Sequence, residues 1–179
     1  MALFTIGHGT ASAGRLVELL RRAGIAQLVD VRTAPGSRRN PDMLREAMQR
    51  WLPEQGVGYR WEPRLGGWRK APRQSPDSVL HHRAFAGYAA HMRSPEFLAA
   101  IDELLADPAR TAVMCAEALW WRCHRRMIAD FVLLARGVDV RHILHDGRLD
   151  RHRPTEGVRV REDGLLVYDG GQATLPGLD

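Results

Sequence analysis

The chain has 179 residues, 45% hydrophobic and 26% charged, which suits one soluble α/β domain with a real core and leaves no apolar run long enough to span a bilayer. The formal charge is +5 with a pI near 10.0, and it is uneven: residues 1–80 carry 13 basic and 7 acidic groups, residues 81–179 carry 13 and 14. Two cysteines are too few for a disulfide framework, and the N-terminus lacks the basic region and cleavage site of a signal peptide, so a cytoplasmic protein with reduced thiols is expected.

In chain order, Ala2 to His8 reads as a first buried strand ending in Gly7-His8-Gly9-Thr10. Ser12 is placed to cap a helix, whose apolar stripe is Leu16, Val17, Leu19, Leu20 and Ala23, with Gly24 as the stop. Ala26 to Val31 is a second strand leading into Arg32 and a loop from Thr33 to Arg39. Asn40-Pro41-Asp42 predicts one helix running on towards Gly56, shortened by Pro53. Val57 to Trp61 is a third strand. Pro63 to His82 is irregular, and a loop of that length in a compact domain points to function or mobility. Ala84 to Arg93 reads as a short helix, and Ser94-Pro95-Glu96 opens the next. Thr111 to Met114 is a fourth strand, then Cys115, a turn, and a helix over Arg122 to Arg136 closed by Gly137. Val138 to Leu144 is a fifth strand. The tail, residues 148–179, is read as an extension with a hairpin around Glu162-Asp163-Gly164.

This alternation predicts a single three-layer Rossmann-like α/β domain over residues 1–179. Its sheet is mainly parallel, with about five strands and helices on both faces. Ligands in such sheets bind at the carboxyl ends of the strands. Most of the unusual polar residues fall there: His8 after the first strand, Arg32 after the second, Gly66-Gly67 after the third, the Cys115–Arg125 segment after the fourth and His145 after the fifth.

The same stretches carry a resemblance. Thr5-Ile6-Gly7-His8-Gly9-Thr10, Leu28 to Arg32 followed by Pro35 to Pro41, Leu65-Gly66-Gly67, Phe85-Ala86-Gly87-Tyr88, and Met114-Cys115-Ala116-Glu117 through Cys123-His124-Arg125 resemble the family catalogued as domain of unknown function 488 (DUF488). Trp120 departs from it at or near a position where the family resemblance implies proline. The resemblance implies a small α/β fold and supplies no reaction.

The candidate chemistry follows from residue types. Cys115, at a strand-to-turn junction with cations nearby, is the expected nucleophile or redox thiol. Glu117, His124 and His8 are the expected proton-handling groups, with ion pairing to Arg122 or Arg125 as the other role for Glu117. Because Cys123 and His124 are adjacent, a helix would point them about 100° apart, so Cys123 is assigned to the core and His124 to the site. The expected anion binders are Gly9, Thr10, Arg32, Ser37, Arg38, Gly66, Gly67, Arg122 and Arg125. Cysteine phosphatases resemble a Cys, five residues, then Arg, whereas six residues separate Cys115 from Arg122, so that strict form fails. Cys115, Cys123 and His8 offer soft metal ligands in a spacing that matches no zinc motif. No cofactor and no oligomeric state is indicated.

The leading expectation is an enzyme acting on an anionic, phosphate-bearing substrate such as a nucleotide or nucleic acid. The rivals are a non-catalytic nucleic-acid-binding module, using the basic first half with Trp61, Trp68, Trp120 and Trp121, and a thiol redox or metal sensor. No membrane partner is expected.

Overall fold

The computed structural model describes residues 1–36 and 38–172, so Ser37 lies outside the described residues. Six strands form one sheet in the order β3-β2-β4-β1-β5-β6: β1 (Ala2–Gly7), β2 (Gln27–Asp30), β3 (Gly58–Trp61), β4 (Thr111–Cys115), β5 (Asp139–Ile143) and β6 (Leu149–Arg151). The first five are parallel and β6 is antiparallel to β5. The short β6, exposed at two of its three residues, is the strand the sequence pattern does not announce.

Two cores sandwich this sheet. On one face, α1 (Ala13–Arg22) and α2 (Arg45–Glu54) bury Leu16, Leu20, Met48 and Leu52 against Phe4, Ile6 and Met114. On the other, α3 (Arg83–His91), α4 (Pro95–Ala106) and α5 (Arg125–Arg136) bury Tyr88, Phe97, Ile101 and Phe131 against Val29, Val113 and Val140. The hairpin β7 (Val158–Val160) with β8 (Leu166–Tyr168) packs on this second face through Val158, Leu166 and Tyr168. No helix among the described residues is long and apolar enough to cross a membrane.

Local chemistry accounts for the helix ends. Ser12 Oγ accepts the Arg15 N–H and Ser94 Oγ accepts the Phe97 N–H, each satisfying an otherwise orphaned amide. The helix expected from Asn40 is two pieces. A 3₁₀ turn over Pro41–Met43 ends at Leu44, whose extended backbone (φ −63°, ψ 143°) starts α2 afresh. Likewise the helix expected from Arg122 is a 3₁₀ turn, Trp120–Arg122, an extended Cys123, and then α5.

The connections from β1 and β2 run to one face, and that from β4, which lies between them, runs to the other. Chains leaving in opposite directions open a crevice at the carboxyl ends of β1, β4 and β2.

Candidate functional site

The crevice is a cavity of about 900 Å³. Cys115 and Cys123 lie at its floor, only 2% and 7% exposed. His8, Arg32, Glu117, Arg122 and His124 contribute polar groups to its walls. Trp68 and Trp121, 78% and 47% exposed, stand at the opening with Phe85. The irregular segment 66–82 supplies Gly67, Trp68 and His82 to the lining. Tyr88 Oη and His91 Nε2 donate to the carbonyls of Leu65 and Arg64, so α3 pins the loop that carries Gly66-Gly67. A Cβ on Gly67 would stand 2.6 Å from His124 Nδ1, so only glycine lets this loop close on the imidazole.

The two sulfurs are 2.7 Å apart. Cys123 packs in the core and His124 lines the site, as expected, but the helical geometry that would keep them apart is absent. Cys123 has φ −119° and ψ 154°, so both side chains reach the cavity, with His124 Nδ1 3.5 Å from Cys123 Sγ. His124 Nε2 donates to the Val31 carbonyl at 3.2 Å, which leaves Nδ1 to face the thiol. Arg125 Nε donates to Cys115 Sγ at 2.9 Å, and the Arg125 amide points at Cys123 Sγ at 3.5 Å. The pair therefore titrates as a unit. Burial and the hydrogen bond with Cys123 push the Cys115 thiol up. Burial also opposes ionisation of Cys123, but the Cys115 S–H, His124 and the Arg125 charge outweigh it and hold its pKa well below the ordinary value. One proton leaves early and the second late.

Arg125 does not line the cavity. Its guanidinium is buried beneath Cys115, donating to Thr5 Oγ1 and to the carbonyls of Glu117 and Ala118 at 3.1, 2.6 and 3.3 Å. A cation at a helix start, expected to await an external anion, is here satisfied from within. Gly7 makes room for this arrangement, since a Cβ there would fall 1.8 Å from the Glu117 carbonyl oxygen.

Glu117 forms no ion pair with Arg122 or Arg125; its Oε1 accepts the Leu119 N–H at 3.0 Å. Arg122 is exposed on the cavity wall, and its guanidinium has no partner among the described residues. Arg32 is held by Asp30 through Nε at 2.9 Å and Nη2 at 2.6 Å, leaving Nη1 3.3 Å from His8 Nε2. His8 Nδ1 donates to the Gly9 carbonyl, and burial with the Arg32 charge lowers its pKa, so it stands as a neutral ring.

The remaining expected anion binders lie elsewhere. Arg38 is exposed beside Pro41 and Leu44, in a separate depression. Thr10 is exposed and absent from the lining. Gly9 packs on Ala118 and His145, and Gly66 packs on Thr33. Trp61 donates to the Arg32 carbonyl, and Trp120 stacks on His142 with centroids 4.1 Å apart, so neither tryptophan joins Trp68 and Trp121 at the cavity. No group of three or more His, Cys, Asp or Glu that could hold a metal occurs among the described residues.

Sequence reasoning missed a buried polar chain behind the thiols. It runs from Arg125 through Thr5, His142 and His152 to Asp130, and Tyr168 closes it. The available signal was Asp130 itself, a carboxylate inside the apolar run Met127 to Leu134.

This network is expected to weaken the protein in acid. Burial, then His152 and Arg125, lower the pKa of His142 from an ordinary 6.5 to about 2. As pH falls below about 6.5 the unfolded chain takes up a proton that the native state refuses, so stability falls with pH down to about 2. At about 1.4 kcal/mol per pH unit, His142 alone removes about 2 kcal/mol between pH 6.5 and 5. Urea unfolding at the two pH values measures this; equal stabilities would refute it.

The family model described as "Domain of unknown function DUF488" matches residues 12–132, more than half of the chain. No curated protein matches, and no solved structure matches. The match takes in Arg32, Gly67 and the whole Cys115–Arg125 segment. The Thr5–Thr10 stretch and every strand after α5 lie outside it.

Proposed function

Because this chain belongs to the DUF488 family, whose description assigns no reaction, we propose an activity from the cavity itself: an enzyme that applies a cysteine thiolate to an anionic, phosphate-bearing substrate of nucleotide size. One observation carries this reading. A thiol pair with a depressed first ionisation lies at the floor of a cavity whose wall holds an unpaired guanidinium, Arg122. His124, oriented by the Val31 carbonyl, takes the Cys123 proton at Nδ1. Cys115 keeps its own proton and stabilises the neighbouring thiolate. Arg122 grips the phosphate, and Arg32, its nitrogens engaged by Asp30 and His8, adds positive charge to the wall. Trp68 and Trp121 flank a planar ring. Glu117, with one oxygen uncommitted, and neutral His8 serve the later proton transfers.

Residues 1–179 are read as one unit, with 148–179 included, because the hairpin shares the core of α3 and α5. Reduced thiols at the site suit a cytoplasmic location.

The test is protection. A nucleoside monophosphate at ten times its Kd slows iodoacetamide alkylation of the thiols about tenfold, and Arg122→Gln loses the effect. Failure of every phosphate-bearing compound to protect sinks the substrate reading. Oligonucleotide binding that leaves alkylation unchanged favours the non-catalytic binding module instead.

The 2.7 Å contact between the sulfurs supports a second reading, a dithiol that cycles with a disulfide. Peroxide treatment that yields an intramolecular Cys115–Cys123 disulfide, reversed by dithiothreitol, would favour it.

A further inference from the structure

We propose that Thr5, His142, His152 and Asp130 form a closed hydrogen-bond relay that holds the Arg125 guanidinium in its working position against the cavity thiols. These are positioning residues, and the proposal rests on the thiolate reading above. With a single ring proton on His152, each step of the relay follows from the one before it. The Asp130 carboxylate accepts the Thr155 amide on Oδ1 and the Tyr168 hydroxyl on Oδ2, both at 2.9 Å. As an acceptor it requires a proton on His152 Nε2, 2.9 Å away. His152 Nδ1 must then accept, so His142 Nε2 donates to it at 3.0 Å. His142 Nδ1 accepts in turn from Thr5 Oγ1 at 2.7 Å, and Thr5 Oγ1 accepts from Arg125 Nη1 at 3.1 Å. A cation at one end and a carboxylate at the other give all four bonds a single direction. Bonds so aligned polarise one another in the low-dielectric interior.

Thr5, Asp130 and His142 are fully buried, and Arg125 and His152 nearly so. The far end opens on no solvent, because Tyr168 and Thr155 cap it. The relay therefore transmits orientation and charge, and carries no proton out. The other groups that face it are few. Trp120 stacks on His142 and donates to Asp150, Asp77 accepts the Tyr168 amide, and Arg126 and Asp77 act on Tyr168 through their charges. Burial above all keeps His142 neutral, as the direction requires. Thr5, His142, His152 and Tyr168 all lie outside residues 12–132, while Arg125 and Asp130 lie within. The relay thus ties the segments flanking the family match to the floor of the site.

Thr5→Val keeps the volume and removes the hydroxyl; Thr5→Ser keeps the hydroxyl. The expected result for Thr5→Val is an alkylation midpoint raised by about one pH unit and a rate at pH 7 about tenfold lower, with Thr5→Ser near wild type. A folded Thr5→Val protein with the wild-type midpoint overturns the relay and leaves the thiolate reading standing. A wild-type midpoint at the ordinary cysteine value overturns both. A second measurement needs no variant. In ¹⁵N NMR at pH 7.5, His142 and His152 both appear as neutral rings with the proton on Nε2; an Nδ1–H tautomer or a charged ring at either position overturns the relay.

Discussion

Asp130→Ala is expected to destabilise the protein by about 3–5 kcal/mol, because it strands three donors at a cost of about 1–3 kcal/mol each. The aspartate is wholly buried, yet no arginine or lysine among the described residues pairs with it. Three donors depend on it: His152 Nε2, the Thr155 amide and the Tyr168 hydroxyl. They come from different parts of the chain after α5, so the substitution leaves three donors unsatisfied at once and removes the hydrogen bond from the hairpin to α5. Tyr168→Phe, which removes a single donor and keeps the carboxylate, is expected to cost about 1 kcal/mol. Urea unfolding measures both. A loss under about 1 kcal/mol for Asp130→Ala would mean the network bears no weight in the fold.

The second large effect is at the thiols. Cys123→Ser is expected to lower the iodoacetamide alkylation rate at pH 7 by about a hundredfold, with the far-ultraviolet circular dichroism unchanged. The remaining Cys115 is the more deeply buried sulfur, and burial pushes its pKa up. Cys115→Ser leaves Cys123 beside His124 and the Arg125 amide, so its loss is smaller. The opposite ranking, with Cys115→Ser silent to alkylation and Cys123→Ser like wild type, would transfer the nucleophile to Cys115.

The gathering of His8, Arg32, Gly67 and Cys115 at one rim was legible because strand ends are legible. Short β-prone runs stop at Gly7, Asp30 and Cys115, and parallel strands share one carboxyl edge. The caps at Ser12 and Ser94 were legible for the same local reason. The pairing of Cys123 with His124 was not, since it depends on one extended residue between a 3₁₀ turn and α5, which no periodicity encodes. Arg125 read as an anion grip because a cation at a helix start lacks a local partner; its partners come from β1 and the loop after β4. Ion pairing, the other role expected of Glu117, does not form because the amide two residues on is nearer. The relay joins residues as far apart as Thr5 and His142, a contact that only the assembled sheet creates.

The central claim is that a single thiolate, carried on Cys123, lies at the cavity floor. Alkylating the wild-type protein across a pH series and mapping the modified peptides by mass spectrometry tests it most directly. The account predicts one modification per chain, on Cys123, with a midpoint well below the ~8.5 of a free cysteine. Equal modification of Cys115 and Cys123, or no reaction at either until the pH exceeds that value, would contradict it.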